Sequence, residues 1–438
     1  MLRFASSPTG ELSIDTMRVA LINYIISRQR AEQFIVRIEE ADKEEHIEGK
    51  DQETLDLLKK FAIEQDQLFY QSDNLGRHQQ FALSLLKQNK AFACICTPEK
   101  IEADKAYAKT HKEAYQYSDT CLHDQTNITA RIAAENLPYN IRIKKPETPI
   151  TFIDKIKGEI QTKPEEIDSF VILRAEGNPT HNFACACDDM LTDISIVIRG
   201  EDHLYNTPRQ IHVKHALGYT AQTAYAHLPT LLNTEDKQRG KQDNTDSIKW
   251  LLEEGFLPDA IINYLLLIGN KVPTEVFTLP DAITWFNLSS LSKSPAEFDI
   301  DILRFLNRQH LGAIKDKALS RLFGFADADI GKLLKLYLKE VDTINALEKK
   351  IKAVFGSKRS EGAWSEEMHT LSALIQEAPM LDDFDLFTHY LIDQSGFKGD
   401  KLLKPLRLLM TGAEHGPELS DIYPLIKPYI TEIARCIT

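Results

Sequence analysis

Cys94 and Cys96 stand one residue apart, and Cys121 and His123 repeat that spacing further along the chain. Three thiolates and an imidazole are the donor set of a closed tetrahedral zinc site, which uses soft sulfur and nitrogen ligands and leaves no position for a substrate. Unrelated buried thiols are the other reading of these residues. Cys185 and Cys187 could be metal ligands, but no second cluster lies near them in sequence, and they read as small buried side chains. Two apolar runs end in charge. Phe34-Ile35-Val36-Arg37-Ile38 delivers Glu39, and Ile194-Ser195-Ile196-Val197-Ile198 delivers Arg199. Parallel strands present functional groups at their C-terminal ends. Glu39 there could hold an amino group or cap the next loop. Arg199, a planar and permanently charged fork, suits a carboxylate ligand. It could equally pair with Glu201 or Asp202.

The elements that must position these groups follow from periodicity. Leu2 to Ala5 reads as a short buried strand, Ser6-Ser7-Pro8-Thr9-Gly10 as a turn, and a helix starts near Thr16, with Val19, Leu21, Ile22, Ile25 and Ile26 at helical spacing. A strand, a small-residue turn and a helix N-terminus offer free backbone N–H groups to a phosphate or carboxylate. The stretches 141–144 and 150–154 alternate as hairpin strands do. Beyond Leu257 the chain reads helical, with no repeat period. At 438 residues there is room for two to four domains. With 43% hydrophobic and 27% charged residues, long disordered arms are excluded. No apolar run approaches the roughly 18 residues of a membrane span, and no leader opens the chain, so the expected place is the cytoplasm. A formal charge of −13 gives no sign of a nucleic-acid partner.

The run Arg3-Phe4-Ala5, then Ser7-Pro8-Thr9-Gly10, then a four-residue signature two positions on, resembles the opening of glutamyl-tRNA synthetases, a class I aminoacyl-tRNA synthetase family. The family signature is His-Ile-Gly-His or His-Ile-Gly-Asn; here it is Ser13-Ile14-Asp15-Thr16. Further likenesses are Arg37-Ile38-Glu39, Tyr70-Gln71-Ser72, the Cys94/Cys96/Cys121/His123 spacing, Arg199, Glu253-Glu254-Gly255-Phe256-Leu257-Pro258, and Lys404 to Gly412 near the end. Together they cover essentially the whole chain. His181 stands where the family has a tyrosine that contacts substrate glutamate. In the mobile KMSKS loop Lys241 keeps the second lysine and Gln238 replaces the first.

The resemblance implies an α/β fold: a Rossmann-type parallel-sheet catalytic domain with a zinc-containing insertion, followed by an all-helical anticodon-binding domain. The implied layout is 1–75 and 185–245 for the two catalytic halves, 76–184 for the acceptor-end insertion, 246–315 for a helical stem-contact region, and 316–438 for the anticodon-binding domain. The implied activity is attachment of glutamate to tRNA through a glutamyl-adenylate, with ATP and Mg²⁺ as substrate and one structural Zn²⁺ on Cys94, Cys96, Cys121 and His123. Arg3, Ser7, Glu39, His181 and Arg199 would hold glutamate. Thr9, Gly10, Asp15 and Lys241 would bind ATP, and Ser13, Thr16 and Lys241 would assist the chemistry. The partners implied are a glutamate or glutamine tRNA and, for the latter, a tRNA-dependent amidotransferase; the chain is expected to be a monomer away from membranes. Ser13, Asp15 and Gln238 also leave open an impaired paralogue that binds tRNA but activates glutamate poorly. Asp15 would then set negative charge beside a triphosphate.

Overall fold

The computed structural model describes residues 1–40, 47–112, 115–233, 247–359 and 363–435. The chain divides into two compact units, Met1–Lys249 with Leu265–Phe298, and Trp250–Tyr264 with Asp299–Thr438. The first is built on parallel sheet. β1 (Leu2–Ser6), α1 (Ile14–Arg30), β2 (Phe34–Ile38), α2 (Lys50–Lys60) and β3 (Gln67–Tyr70) alternate, and the three strands pair in parallel in the order β1-β2-β3. All five residues of β2 are buried, as expected for a strand covered on both faces.

α1 begins two residues earlier than the apolar period suggests, because Ser13 caps it. The Ser13 hydroxyl accepts the Thr16 N–H at 3.2 Å, satisfying one of the unpaired donors of the first turn. Met17, Leu21, Ile22 and Ile25 then bury completely.

Between the sheet halves the chain forms α3 (Leu75–Lys87), β4 (Ala91–Cys94), α4 (Pro98–Thr110), α5 (Thr120–His123), α6 (Gln125–Glu135), β5 (Asn140–Ile143), the hairpin β6 (Ile150–Asp154) and β7 (Gly158–Thr162), and β8 (Val171–Leu173). β4, β5 and β8 make a small antiparallel sheet. α7 (His181–Leu191), β9 (Ile196–Gly200), α8 (Thr207–Ala216) and β10 (Ala224–Leu228) return to the parallel layer, ordered β7-β6-β10-β9. The two halves meet where the Ser195 N–H donates to the Met1 carbonyl at 3.0 Å. Strand order reverses there, between β1 and β9.

β11 (Leu231–Asn233), α9 (Ile248–Glu253), α10 (Pro258–Leu267), α11 (Leu279–Trp285) and β12 (Ala296–Phe298) follow. The helical reading beyond Leu257 missed β12, a three-residue strand paired in parallel with β11. It is too short to carry a period of its own. From α12 (Ile300–Ala313), α13 (Asp316–Leu322) and α14 (Ala328–Tyr337) the described chain is helical to Arg435, around a core that includes Leu333, Leu371, Leu406 and Ile422. No described helix is long and apolar enough to cross a membrane.

α13 and α14 approach closely at Gly331, where a Cβ would collide with the backbone of Asp316. Alanine is the better helix former by about 1 kcal/mol, but overpacking against backbone costs about 1–3 kcal/mol. Gly331→Ala should therefore lower the melting temperature in calorimetry. A rise would show that the two helices separate freely.

Candidate active site and metal centre

Ligands in open parallel sheets bind outside the strand C-termini, at the point where strand order reverses. A cavity of about 480 Å³ opens there. Phe4 to Ser7 line it from the end of β1, Ser13, Asp15, Thr16 and Val19 from α1, Glu39 from the end of β2, His181 from the start of α7, and Arg199, Asp202 and His203 from the end of β9.

Beneath this cavity lies a buried charge network. Asp189 Oδ1 takes the Arg37 guanidinium at 2.6 Å and Arg3 Nε at 3.1 Å. Arg37 also reaches Glu39 Oε1 at 2.8 Å. Burial opposes ionisation of Asp189, yet Arg3 and Arg37 hold its carboxyl well below the usual range. Glu39 is likewise opposed by burial and depressed by Arg37 and His181. His181, half-exposed, sits 3.4 Å from Glu39. The Cys185 sulfur and Glu39 raise it above the ordinary histidine range.

Arg199 differs from the other two arginines. Its guanidinium, buried in β9, donates to Gln210 Oε1 at 2.9 Å, Thr207 Oγ1 at 2.6 Å and His227 Nε2 at 3.2 Å, all uncharged acceptors. The alternative pairing with Glu201 or Asp202 does not occur: Glu201 is held by Lys157, and Asp202 lies by His203. Burial, and then Arg3, lower the Arg199 guanidinium to about 10. His227 can accept from it because burial lowers the imidazole while its Nδ1 faces Asp154 at 2.6 Å. Among the described residues no ion pair forms at Arg199, and the buried Asp154 carboxylate is linked to it through His227.

Of the residues expected to bind ligand, Ser7, Ser13, Asp15, Thr16, Glu39, His181 and Arg199 come together around the cavity. Arg3 lies just behind, in a smaller recess. Thr9 and Gly10 are exposed and do not line it, because the turn carries them outward past Pro8. Asp15 carries a carboxylate to the cavity wall. One carboxylate oxygen accepts the Leu231 N–H of β11 at 3.1 Å. Lys241 and Gln238 lie outside the described residues.

The cysteine group forms as expected, with one change of member. The sulfurs of Cys94, Cys96 and Cys121 lie within 4.8 Å of one another. His123 is exposed and outside the group. Cys121 and His123 share the single turn α5, and residues two apart on a helix point to different sides. Tyr117, one turn before Cys121, takes the place instead: its Oη lies 3.5 Å from the sulfurs of both Cys94 and Cys96. Arg142 stacks 3.8 Å over the Tyr117 ring and points Nε at Cys94 Sγ, 3.3 Å away. Against burial, hydrogen bonds from Tyr117 and Arg142 lower the Cys94 thiol, while burial pushes the Cys96 thiol up to about 11.

Sequence reading missed Asp189, Tyr117, Gln210 and the Asp154–His227 pair. The signal for Asp189 was an acidic doublet, Asp188-Asp189, inside an otherwise apolar helix.

The sequence model described as "tRNA synthetases class I (E and Q), catalytic domain" matches residues 1–305. The chain is 51% identical to glutamate–tRNA ligase 2 of Sulfurovum sp. (strain NBC37-1), over 99% of its own length and 100% of the relative's. It is 45% identical to glutamate–tRNA ligase 1 of Campylobacter jejuni subsp. jejuni serotype O:2 (strain ATCC 700819 / NCTC 11168), again over 99% and 100%. In fold it is similar to the crystal structure of a glutamate tRNA ligase from Elizabethkingia meningosepticum in complex with its amino acid. The TM-score is 0.84 at 24% identity, covering 99% of this chain and 98% of that one.

Asp189→Asn would leave Arg3 and Arg37 buried without their shared partner, a loss of about 3–5 kcal/mol in urea unfolding. Because the Asp189 and Glu39 carboxyls are depressed in the folded state, their stabilisation is present above the unfolded carboxyl value of about 4 and disappears as pH falls through the folded value. Unfolding midpoints between pH 5 and pH 2 should fall steeply for the natural chain and less steeply for Asp189→Asn.

Proposed function

The chain belongs to the class I tRNA synthetases for glutamate and glutamine, and from that membership we infer that it attaches glutamate to tRNA with ATP and Mg²⁺. The observation that carries the choice of amino acid is Arg199, a buried guanidinium at the cavity wall whose protein partners are all neutral. A fixed fork of N–H donors pairs with the side-chain carboxylate of glutamate and leaves glutamine's amide N–H₂ facing a cation. In this reading Glu39 takes the α-ammonium, with His181 beside it and Ser7 at the rim. Arg3 positions the site through Asp189.

The substrate's α-carboxylate attacks the α-phosphorus of ATP, releasing pyrophosphate and forming glutamyl-adenylate; the acyl group then passes to the terminal adenosine of tRNA. The N-terminus of α1, with the Ser13 and Thr16 hydroxyls, would face the nucleotide. Lys241 is proposed to neutralise the departing pyrophosphate.

We further propose one structural Zn²⁺ held by Cys94, Cys96 and Cys121, with the Tyr117 oxygen rather than His123 at the fourth corner. Bound there, the ion would supply no chemistry and would fix the acceptor-end insertion within 76–184. The remaining assignments are catalytic halves at 1–75 and 185–245, a stem-contact region at 246–315 and an anticodon-binding region at 316–438. The protein is proposed to act as a cytoplasmic monomer on a glutamate or glutamine acceptor tRNA. An amidotransferase would consume the product in the second case.

Labelled glutamate, ATP and Mg²⁺ should give charged tRNA. An inert chain that still retains tRNA on a filter would instead support the impaired reading. Arg199→Gln removes a buried charge pair worth about 2–5 kcal/mol, so the glutamate KM in pyrophosphate exchange should rise about 30-fold or more. Metal analysis should find zinc at the cysteine cluster, kept by His123→Ala and lost from it by Cys121→Ala.

A further inference from the structure

Beside the main cavity is a recess of about 50 Å³ whose walls include Glu39, His181 and Cys185. The activity proposed above has no use for the Cys185 sulfur. That sulfur lies 3.1 Å from Glu39 Oε1, and His181 Nε2 lies 3.4 Å from Glu39 Oε2. One donor atom from each of the three falls within 4.8 Å of the other two. A tetrahedral zinc with bonds of about 2.0–2.3 Å sets neighbouring donors roughly 3.3–3.6 Å apart. The two contacts end on different oxygens of Glu39, and one donor from each residue lies within 4.8 Å of the others, so a small closure of the side chains brings them to three corners of such a polyhedron. The recess also exceeds the roughly 10–15 Å³ that one small occupant needs. His181 and Cys185 are four residues apart on α7 and so share a face, while Glu39 arrives from the end of β2.

We propose that Glu39, His181 and Cys185 form a second metal site, for a borderline-soft divalent cation of the Zn²⁺ class, and that this cation and the amino acid's ammonium group exclude each other at Glu39. The exclusion rests on reading the cavity as the amino-acid site; the metal site does not. On binding, the Cys185 thiol releases its proton to solvent, so the thiolate offsets one of the ion's charges and Glu39, already paired with Arg37, offsets part of the other. Arg3, Arg37 and Arg199 surround the site and oppose any cation, which disfavours a hard ion held by charge alone. Mg²⁺ asks for six oxygen donors and does not compete for sulfur and imidazole. The Mg²⁺ that accompanies ATP is thus compatible with the pocket, while zinc-class ions inhibit.

Cobalt(II) added to the zinc-loaded full-length protein tests this. The expected result is one further equivalent with a sulfur-to-cobalt charge-transfer band. Cys185→Ala and His181→Ala should each weaken it more than about 100-fold, since even supporting groups around a metal cost 10–100-fold, while the first zinc stays bound. Half-exposed His181 serves as the variant least disturbing to the fold. Absence of a further equivalent, or a band that survives Cys185→Ala, overturns the site. Glutamate should abolish the band. If it does not, in a protein that shows glutamate-dependent pyrophosphate exchange, the exclusion is wrong. If exchange is also absent, the functional reading fails and the metal site stands.

Discussion

Everything around the cavity depends on a single carboxylate. Asp189 is buried in α7 and receives guanidinium groups from β1 and β2 on one oxygen. Parallel strands put consecutive side chains on opposite faces, so Arg3 and Arg37 can enter the layer between sheet and helix only if an anion meets them there. With Asp189 in place, Arg37 is free to steady Glu39, and Arg199 is left with neutral side chains as its direct partners.

Arg199 shows how a cation can be kept buried and still available. Neutral acceptors satisfy its N–H groups, and the Asp154 carboxylate stands one imidazole away, behind His227. A carboxylate in direct contact would have neutralised the guanidinium and filled the position a ligand must take. The intervening imidazole orients it instead.

The architecture was legible where periodicity and strand ends speak locally. β1, α1, β2 and β9 came from apolar runs, and Glu39 and Arg199 from the charges that end them. Cys94, Cys96 and Cys121 were legible from spacing. What failed was geometry within one turn: the sequence shows His123 two positions from Cys121, but helical phase turns it away and brings Tyr117 in. Asp189 was hidden because its partners are more than a hundred residues off, and the Cys185 cluster because its third member, Glu39, arrives from the end of β2. Long-range charge pairing leaves no local period to read.

The contact between Asp15 and the Leu231 N–H ties the cavity wall to β11, the last described strand before Lys241. Replacing Asp15 by glycine would remove a charge and an anchor together, so a change that eased the approach of a phosphate chain would also loosen the start of the strand.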